Sequence, residues 1–231
     1  MGLQESTIKE SLEHLPVEYR SISQQFQEMC ESAKSVDEIK AVIAKAESTI
    51  GPEHYKNGML FKDIYNLYIG WALPTQKALN IIYKAWDIHV KKYPDARLID
   101  VGAGTGVYCL LLQDMGVPIN KLVALDIEPK THKTCRNFFP LTIHKDDFEI
   151  HENDFLLICW GYGYDFEKYI EKVKCVVIQG EQSDGCTYPT DALIDDDSGE
   201  IKEGWKMETF KNIPSLALPY YGEQITVNTR D

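Results

Sequence analysis

The sequence predicts an α/β chain: a helical region over residues 1–93, then, over 94–231, a mainly parallel seven-stranded sheet that ends in an antiparallel hairpin. Three observations carry this. Apolar residues recur at helical spacing in the first part. Beyond Arg97 the pattern becomes short apolar runs separated by turns and helical patches. Between the first of these runs and the next helical patch stands a cluster of glycines, the junction expected in a βα unit.

In the first part, Val36–Ser48 places Ile39, Val42 and Ile43 on one face. Gly51-Pro52 interrupts the pattern. Pro74 suits the first turn of a helix running toward Lys92, where its missing N–H costs nothing. Tyr93-Pro94-Asp95 ends that helix. Residues 97–102, 121–128, 141–146, 154–160 and 174–181 then read as strands. The unbroken apolar centres of the first, second, fourth and fifth indicate strands covered on both faces. Strands alternating with helical stretches imply parallel βαβ units. Residues 206–213 and 223–230 read as the closing antiparallel pair.

The formal charge is −12, from 24 basic and 36 acidic residues. Residues 1–93 carry 11 basic and 12 acidic residues, so the excess acid lies in the second part. That field argues against a phosphate-rich partner, and nucleic acid is not an expected substrate. The stretch 182–204 concentrates acids without a clear period and is expected to form a mobile flap beside the ligand edge. No run of about 18 apolar residues is present, so no membrane span is expected. The start matches the Met-Gly-x-x-x-Ser pattern of N-myristoylation through Gly2 and Ser6, with acidic rather than basic neighbours; a cytoplasmic location is expected. Six cysteines, none spaced as C-x-x-C, read as reduced thiols. His132 and Cys135 have ligand spacing but lack a second pair, and no metal is expected.

The stretch that carries chemistry is LIDVGAGTGVYCLLL, residues 98–112. A strand ends near Asp100, and Gly102, Ala103, Gly104 and Gly106 make the turn into an apolar helix. Glycines let a ligand approach the backbone, and the helix start offers free N–H groups. The next strand ends in Asp126, a carboxylate placed to accept both ribose hydroxyls of an adenosine. A dinucleotide fingerprint needs a third glycine at position 107, where Val107 stands. An oxidoreductase with an adenosine cofactor of the NAD type is therefore a disfavoured alternative. A non-catalytic binding module is the other, and the intact Asp100, Gly102, Gly104 and Asp126 argue against it.

The spacing G-x-G-x-G, with an acid two residues before the first glycine, resembles motif I of the class I S-adenosylmethionine-dependent methyltransferases. Four segments, YIGWALPTQKAL (68–79), LIDVGAGTGVYCLLL (98–112), LLICWGY (156–162) and GEQSDGCT (180–187), resemble a little-characterised group of that superfamily. The group runs W-A-I-P, I-G-A-G-T-G, L-L-x-W-P-P-Y and G-E-x-x-G-C-T, and the resemblance spans about residues 65–231. Where the group has two prolines after the tryptophan, this chain has Gly161-Tyr162-Gly163.

The resemblance implies a Rossmann-like fold and S-adenosylmethionine as cofactor. It implies that the glycine loop holds the methionine part and that Asp100 orients its amino group. Asp126 would bind the ribose, Ile127 pack on the adenine, and Asp146 or Asp147 accept from the adenine amino group. Trp160 follows the fourth strand, where the family places acceptor-side groups, and it suits stacking on cofactor or substrate. Trp71 is expected to cover the cofactor from the N-terminal side, with residues 1–93 packing over the site. Trp160, Tyr162 and Glu181 are the acceptor-side candidates for catalysis, Glu181 as a base. The acceptor is expected to be an oxygen or nitrogen of a small molecule or a protein.

Overall fold

The computed structural model describes residues 8, 10, 12–49, 55–126, 136–143, 148–161, 166–181, 193–195, 198–214 and 223–231. Four helices come first: α1 (Val17–Ser32), α2 (Val36–Thr49), α3 (Tyr55–Tyr68) and α4 (Gln76–Lys92). There follow β1 (Leu98–Val101), α5 (Val107–Asp114), β2 (Leu122–Asp126), β3 (Leu141–Ile143), β4 (Phe155–Cys159), α6 (Glu167–Ile170), β5 (Cys175–Glu181), β6 (Trp205–Ile213) and β7 (Glu223–Arg230).

The seven strands form one sheet in the order β3-β2-β1-β4-β5-β7-β6. β3, β2, β1, β4 and β5 are parallel, and β7 lies antiparallel to both β5 and β6. The alternation of strands and helical patches thus gives the mixed α/β sheet it predicted, with the antiparallel closing pair. The third strand is described over Leu141–Ile143; residues 144–147, which hold its expected end at 146, lie outside the described part.

Helix α4 starts later than Pro74 suggested. Thr75 is its N-cap, and its side chain accepts from the Ala78 N–H at 3.2 Å. Pro74 therefore lies one residue outside the cap, because a hydroxyl that satisfies an orphan amide defines the helix start better than an imide that merely lacks one.

Both sheet faces are buried, as period-two alternation along each strand requires. On one face Leu98, Leu122, Ala124, Phe155, Leu157, Cys175, Val177 and Ile225 join a cluster that continues through α1 to α5. On the other, Ile99, Val101, Leu125, Leu156, Ile158, Val176 and Ile178 pack with Tyr169, Ile170 and Val173. Phe155 sits under α4, edge-on to Trp86 at 5.7 Å between centroids and to His89 at 5.6 Å. The starts of β1 and β4 are tied by Arg97, which grips both oxygens of buried Asp154 at 3.0 and 2.6 Å. Among the described residues no helix is long and apolar enough to cross a membrane.

The described part of the acidic stretch packs on the second face of the sheet. Leu193 is fully buried against the second face, and Ile194 bridges Ile201. Asp195 accepts from both the N–H and the hydroxyl of Ser198 ahead of β6. The buried leucine anchors this part of a stretch whose charge pattern predicts a mobile flap. Residues 182–192 lie outside the described part.

Candidate functional site

The strand order reverses between β1 and β4, and loops leaving their C-terminal ends diverge there, opening the crevice where open α/β sheets take ligands. The loop after β1 is the glycine cluster. Its turn is built by Gly102 and Ala103 N–H groups donating to the Leu125 carbonyl at 2.8 and 3.1 Å, and by Gly106 N–H donating to Ala103. Gly102, Gly104 and Gly106 all adopt left-handed backbone, with φ of 75°, 58° and 76°. A side chain at Gly102 would meet none of the described residues within 4 Å, so it faces open space among them. A side chain at Gly106 would strike the Phe139 Cβ at 2.7 Å, so that glycine serves packing.

Asp126, 7% exposed, accepts from the Gly104 N–H at 2.6 Å and braces the loop from β2. Asp100, 2% exposed, lies near the Cys109 thiol at 3.9 Å and within electrostatic reach of Asp126. Burial pushes the Asp100 carboxyl up to about 8, the Asp126 carboxylate adds to that, and the Cys109 hydrogen bond opposes it.

A stability prediction follows. The folded pKa exceeds the unfolded value near 4, so between about pH 4 and about pH 8 the folded state alone holds this proton. Its contribution to stability is therefore full below about pH 4 and is lost as pH rises toward 8. Asp100→Asn keeps the neutral shape and is expected to flatten this trend. Urea unfolding at about pH 5 and about pH 8 should show a wild-type loss exceeding that of the variant by on the order of a few kcal/mol. Equal losses in the two proteins would refute the burial of an acid with this function in the fold.

Side-chain alternation places a row of polar groups along the same sheet edge. Two residues beyond the apolar members of the helix-covered face stand Asp126 on β2, Asp100 on β1, Cys159 on β4 and Gln179 on β5; Glu223 opens β7 from the other direction. These five occupy adjacent strands in spatial order. Tyr108 on α5 donates to Gln179 Oε1 at 2.8 Å, and Gln179 Nε2 donates to Glu223 Oε2 at 2.8 Å. The Trp160 indole donates to Glu223 Oε1 at 2.8 Å. Trp160 itself holds φ 54°, a strained value for a large residue, with its N–H on the Gln179 carbonyl and the Lys62 ammonium 5.2 Å from the ring centroid.

Of the residues singled out in the sequence, Asp100, Gly102, Ala103, Gly104, Gly106 and Asp126 come together in one loop and its two flanking strand ends. Trp160 joins them through the polar row. Glu181 ends β5, partly exposed, in register with Glu223. Trp71, 50% exposed, belongs to the connection between α3 and α4, which abuts the glycine loop where the Thr105 hydroxyl donates to the Ile69 carbonyl at 2.5 Å. Ile127, Asp146, Asp147 and Tyr162 lie outside the described residues, as do Gly2, Ser6, His132 and Cys135. Among the described residues no three His, Cys, Asp or Glu side chains converge on a metal position. The departure at Gly161 has a packing cause: a Cβ there would lie 2.3 Å from the buried Phe166 ring. Gln179, Glu223 and Tyr108 were missed in the sequence. The signal for the first two was a polar residue two places beyond the last apolar one on the same strand face.

No family model matches the chain, and no curated protein matches it. Among solved structures, a high-resolution crystal structure of WbdD aligns with a TM-score of 0.44 at 13% identity, over 66% of this chain and 40% of that one. A co-crystal structure of WbdD with the kinase inhibitor LY294002 gives 0.45 at 15% identity over the same shares. A medium-resolution structure described as the bifunctional kinase-methyltransferase WbdD gives 0.44 at 13%, over 66% of this chain and 39% of that one. The chain thus spans about two fifths of the length of these proteins.

Proposed function

We propose that this chain is an S-adenosylmethionine-dependent methyltransferase with a Rossmann-like core, acting on an oxygen or nitrogen of a small molecule or protein. One observation carries the reading: two buried acids, Asp100 and Asp126, flank a loop of left-handed glycines at the point where the strand order reverses. The chain's residues fit such a cofactor. The open space before Gly102 accepts a ligand against bare backbone. Asp126 already takes an amide hydrogen from Gly104, and a carboxylate has lone pairs for a ribose hydroxyl as well. A cationic amino group beside Asp100 favours its ionised form, opposing the burial that otherwise keeps it protonated.

Bound S-adenosylmethionine supplies a methyl group already activated on a sulfonium. The protein's contribution is then alignment, which by itself can supply much of a rate enhancement. Trp160, fixed by Glu223 and by the Gln179 carbonyl, presents a rigid aromatic wall on the acceptor side. Glu181, at the mouth of β5, is the candidate to take a proton from an acceptor that must lose one. The net charge of −12 favours an acceptor other than nucleic acid.

Calorimetric titration with S-adenosylmethionine, S-adenosylhomocysteine and NAD in parallel tests this reading. Saturable binding of the first two, without NAD, is expected. Asp126→Ala should weaken S-adenosylhomocysteine by about 2 kcal/mol, the size of a hydrogen bond to a charged group. Tight NAD binding with no response to S-adenosylhomocysteine would overturn the assignment. An unchanged affinity in the variant would leave Asp126 as a brace for Gly104 alone.

A further inference from the structure

A second feature lies away from the glycine loop. Helix α4 buries Ala78, Leu79, Ile82, Trp86 and His89 against the sheet. It also carries a second apolar stripe, Ile81, Ala85 and Ile88, at spacings of four and three, and Ile88 is 61% exposed. Helix α4 packs on β5 and β7. A helix is about 10–12 Å across and strands are about 4.8 Å apart, so one helix covers about two strands. Beyond β7 no described helix covers the face of β6, and Phe210 on β6 and Val227 on β7 are partly buried there. Helix wall and sheet floor enclose a groove of about 960 Å³.

The groove's charge opposes that of the chain. Lys77, Lys84 and Lys92 line it from α4, and Lys174, Lys206 and Arg230 from the far end of the sheet, against two acids, Glu208 and Asp231. The chain as a whole carries −12. Lys206 pairs with Asp231 at 3.5 Å, with both side chains largely exposed, and solvent screens such a pair strongly. Lys174 pairs with Glu152 at 3.3 Å, and Lys77 donates to the Asn212 carbonyl. Lys77 to Lys92 spans about 22 Å of helix, or about four turns.

From this we infer that the groove docks an acidic amphipathic helix of a partner protein, lying alongside α4. Its apolar stripe would cover Ile81, Ala85, Ile88, Phe210 and Val227, and its flanking Asp and Glu side chains would face the lysines. The stripe on α4 selects a helix: Ile81, Ala85 and Ile88, with Lys77, Lys84 and Lys92 beside them, match an apolar stripe flanked by acids on a second helix. A recessed floor between a helix and a sheet is the wrong shape for a flat bilayer, and the apolar stripe of Ile81, Ala85 and Ile88 offers a phosphate backbone nothing to pair with.

The test uses the full chain and a dye-labelled synthetic helical peptide of about 18 residues, with leucines at i, i+3, i+4 and i+7 spacing and glutamates flanking them. Fluorescence anisotropy should show saturable binding, weakened at least about tenfold by Ile88→Asp and by Lys84→Glu, and weakened by salt. Hydrogen exchange should show protection over 77–92 and 206–229. Both substitutions are at exposed positions, and unchanged melting temperatures and unchanged S-adenosylhomocysteine titrations would show that fold and cofactor site are intact. Equal binding of a lysine-flanked peptide, absence of saturable binding, or indifference to Ile88→Asp would overturn the proposal. So would sedimentation showing a dimer that Ile88→Asp dissociates, which assigns the groove to a second copy. Binding to phosphatidylserine vesicles that Ile88→Asp abolishes would assign it to a membrane and overturn it equally.

Discussion

Gly106→Ala is expected to destabilise the protein by about 2–5 kcal/mol, while Gly102→Ala in the same loop costs about 1–2 kcal/mol and removes ligand binding. Both glycines hold positive φ, so both variants bear the strain of a left-handed Cβ, about 1–2 kcal/mol. At Gly106 the new carbon also falls 2.7 Å from Phe139 Cβ and 3.4 Å from Phe139 backbone atoms. Backbone cannot swing aside as the tip of a side chain can, and overpacking of this kind adds about 1–3 kcal/mol. At Gly102 none of the described residues lies within 4 Å, so the added methyl intrudes only on the ligand proposed for the loop. Urea unfolding and S-adenosylhomocysteine titration on both variants separate the effects. Wild-type affinity in Gly102→Ala would show that the loop is not the ligand's cradle. Equal unfolding costs would remove the distinction between the two glycines.

Glu223→Ala should cost about 1–4 kcal/mol, because the buried Gln179 amide and the part-buried Trp160 indole lose their acceptor at once. Trp160 Nε1 and Gln179 Nε2 each donate to one Glu223 oxygen at 2.8 Å. An unsatisfied buried group costs about 1–3 kcal/mol. Glu223→Gln retains one acceptor oxygen but turns an amide N–H toward the other donor, so an intermediate cost is expected. Trp160 is held at positive φ by these contacts, and the alanine variant should also change its indole fluorescence. Thermal unfolding measures the first effect, and emission spectra compared with those of Trp160→Phe assign the second. Stability within about 0.5 kcal/mol of wild type in Glu223→Ala would show that the row is not a structural unit.

The parts of this architecture that were legible in the sequence are those with local signatures. β1, β2, β4 and β5 announce themselves as apolar runs because both their faces are buried. The glycine loop is legible because a strand, a turn and a helix follow one another without intervening chain. Glu223 was not legible as part of the site. It stands in a run, EQITVNTR, that reads as an ordinary strand; it reaches the ligand edge because β7 runs backward beside β5, a long-range fact. Gln179 was hidden for a related reason: a lone polar residue in VVIQ suggests a strand end until its partner across the sheet is known. Leu193 illustrates the reverse error. Seven acids between 182 and 204 outweigh one leucine in the charge pattern, yet that leucine is buried and anchors the part of the segment around it.

The placement of β7 has a kinetic consequence. It separates β5 from β6, so β6 has no neighbour in the sheet until a segment ten residues later in the sequence slots between them. While the chain is being synthesised, β1, β4 and β5 can associate, yet β5 keeps a bare edge and β6 stays unpaired. Such long-range closure is slow, and exposed edges at that stage invite association with other chains. Gln224, Thr226 and Asn228, buried on β7, make this insertion depend on polar side chains finding their partners, as Asn228 does with the Val176 carbonyl at 3.2 Å. The same strand delivers Glu223, so Trp160 and Gln179 lack their acceptor until β7 docks, and a chain stalled before β7 would hold its glycine loop without the opposite wall of the crevice.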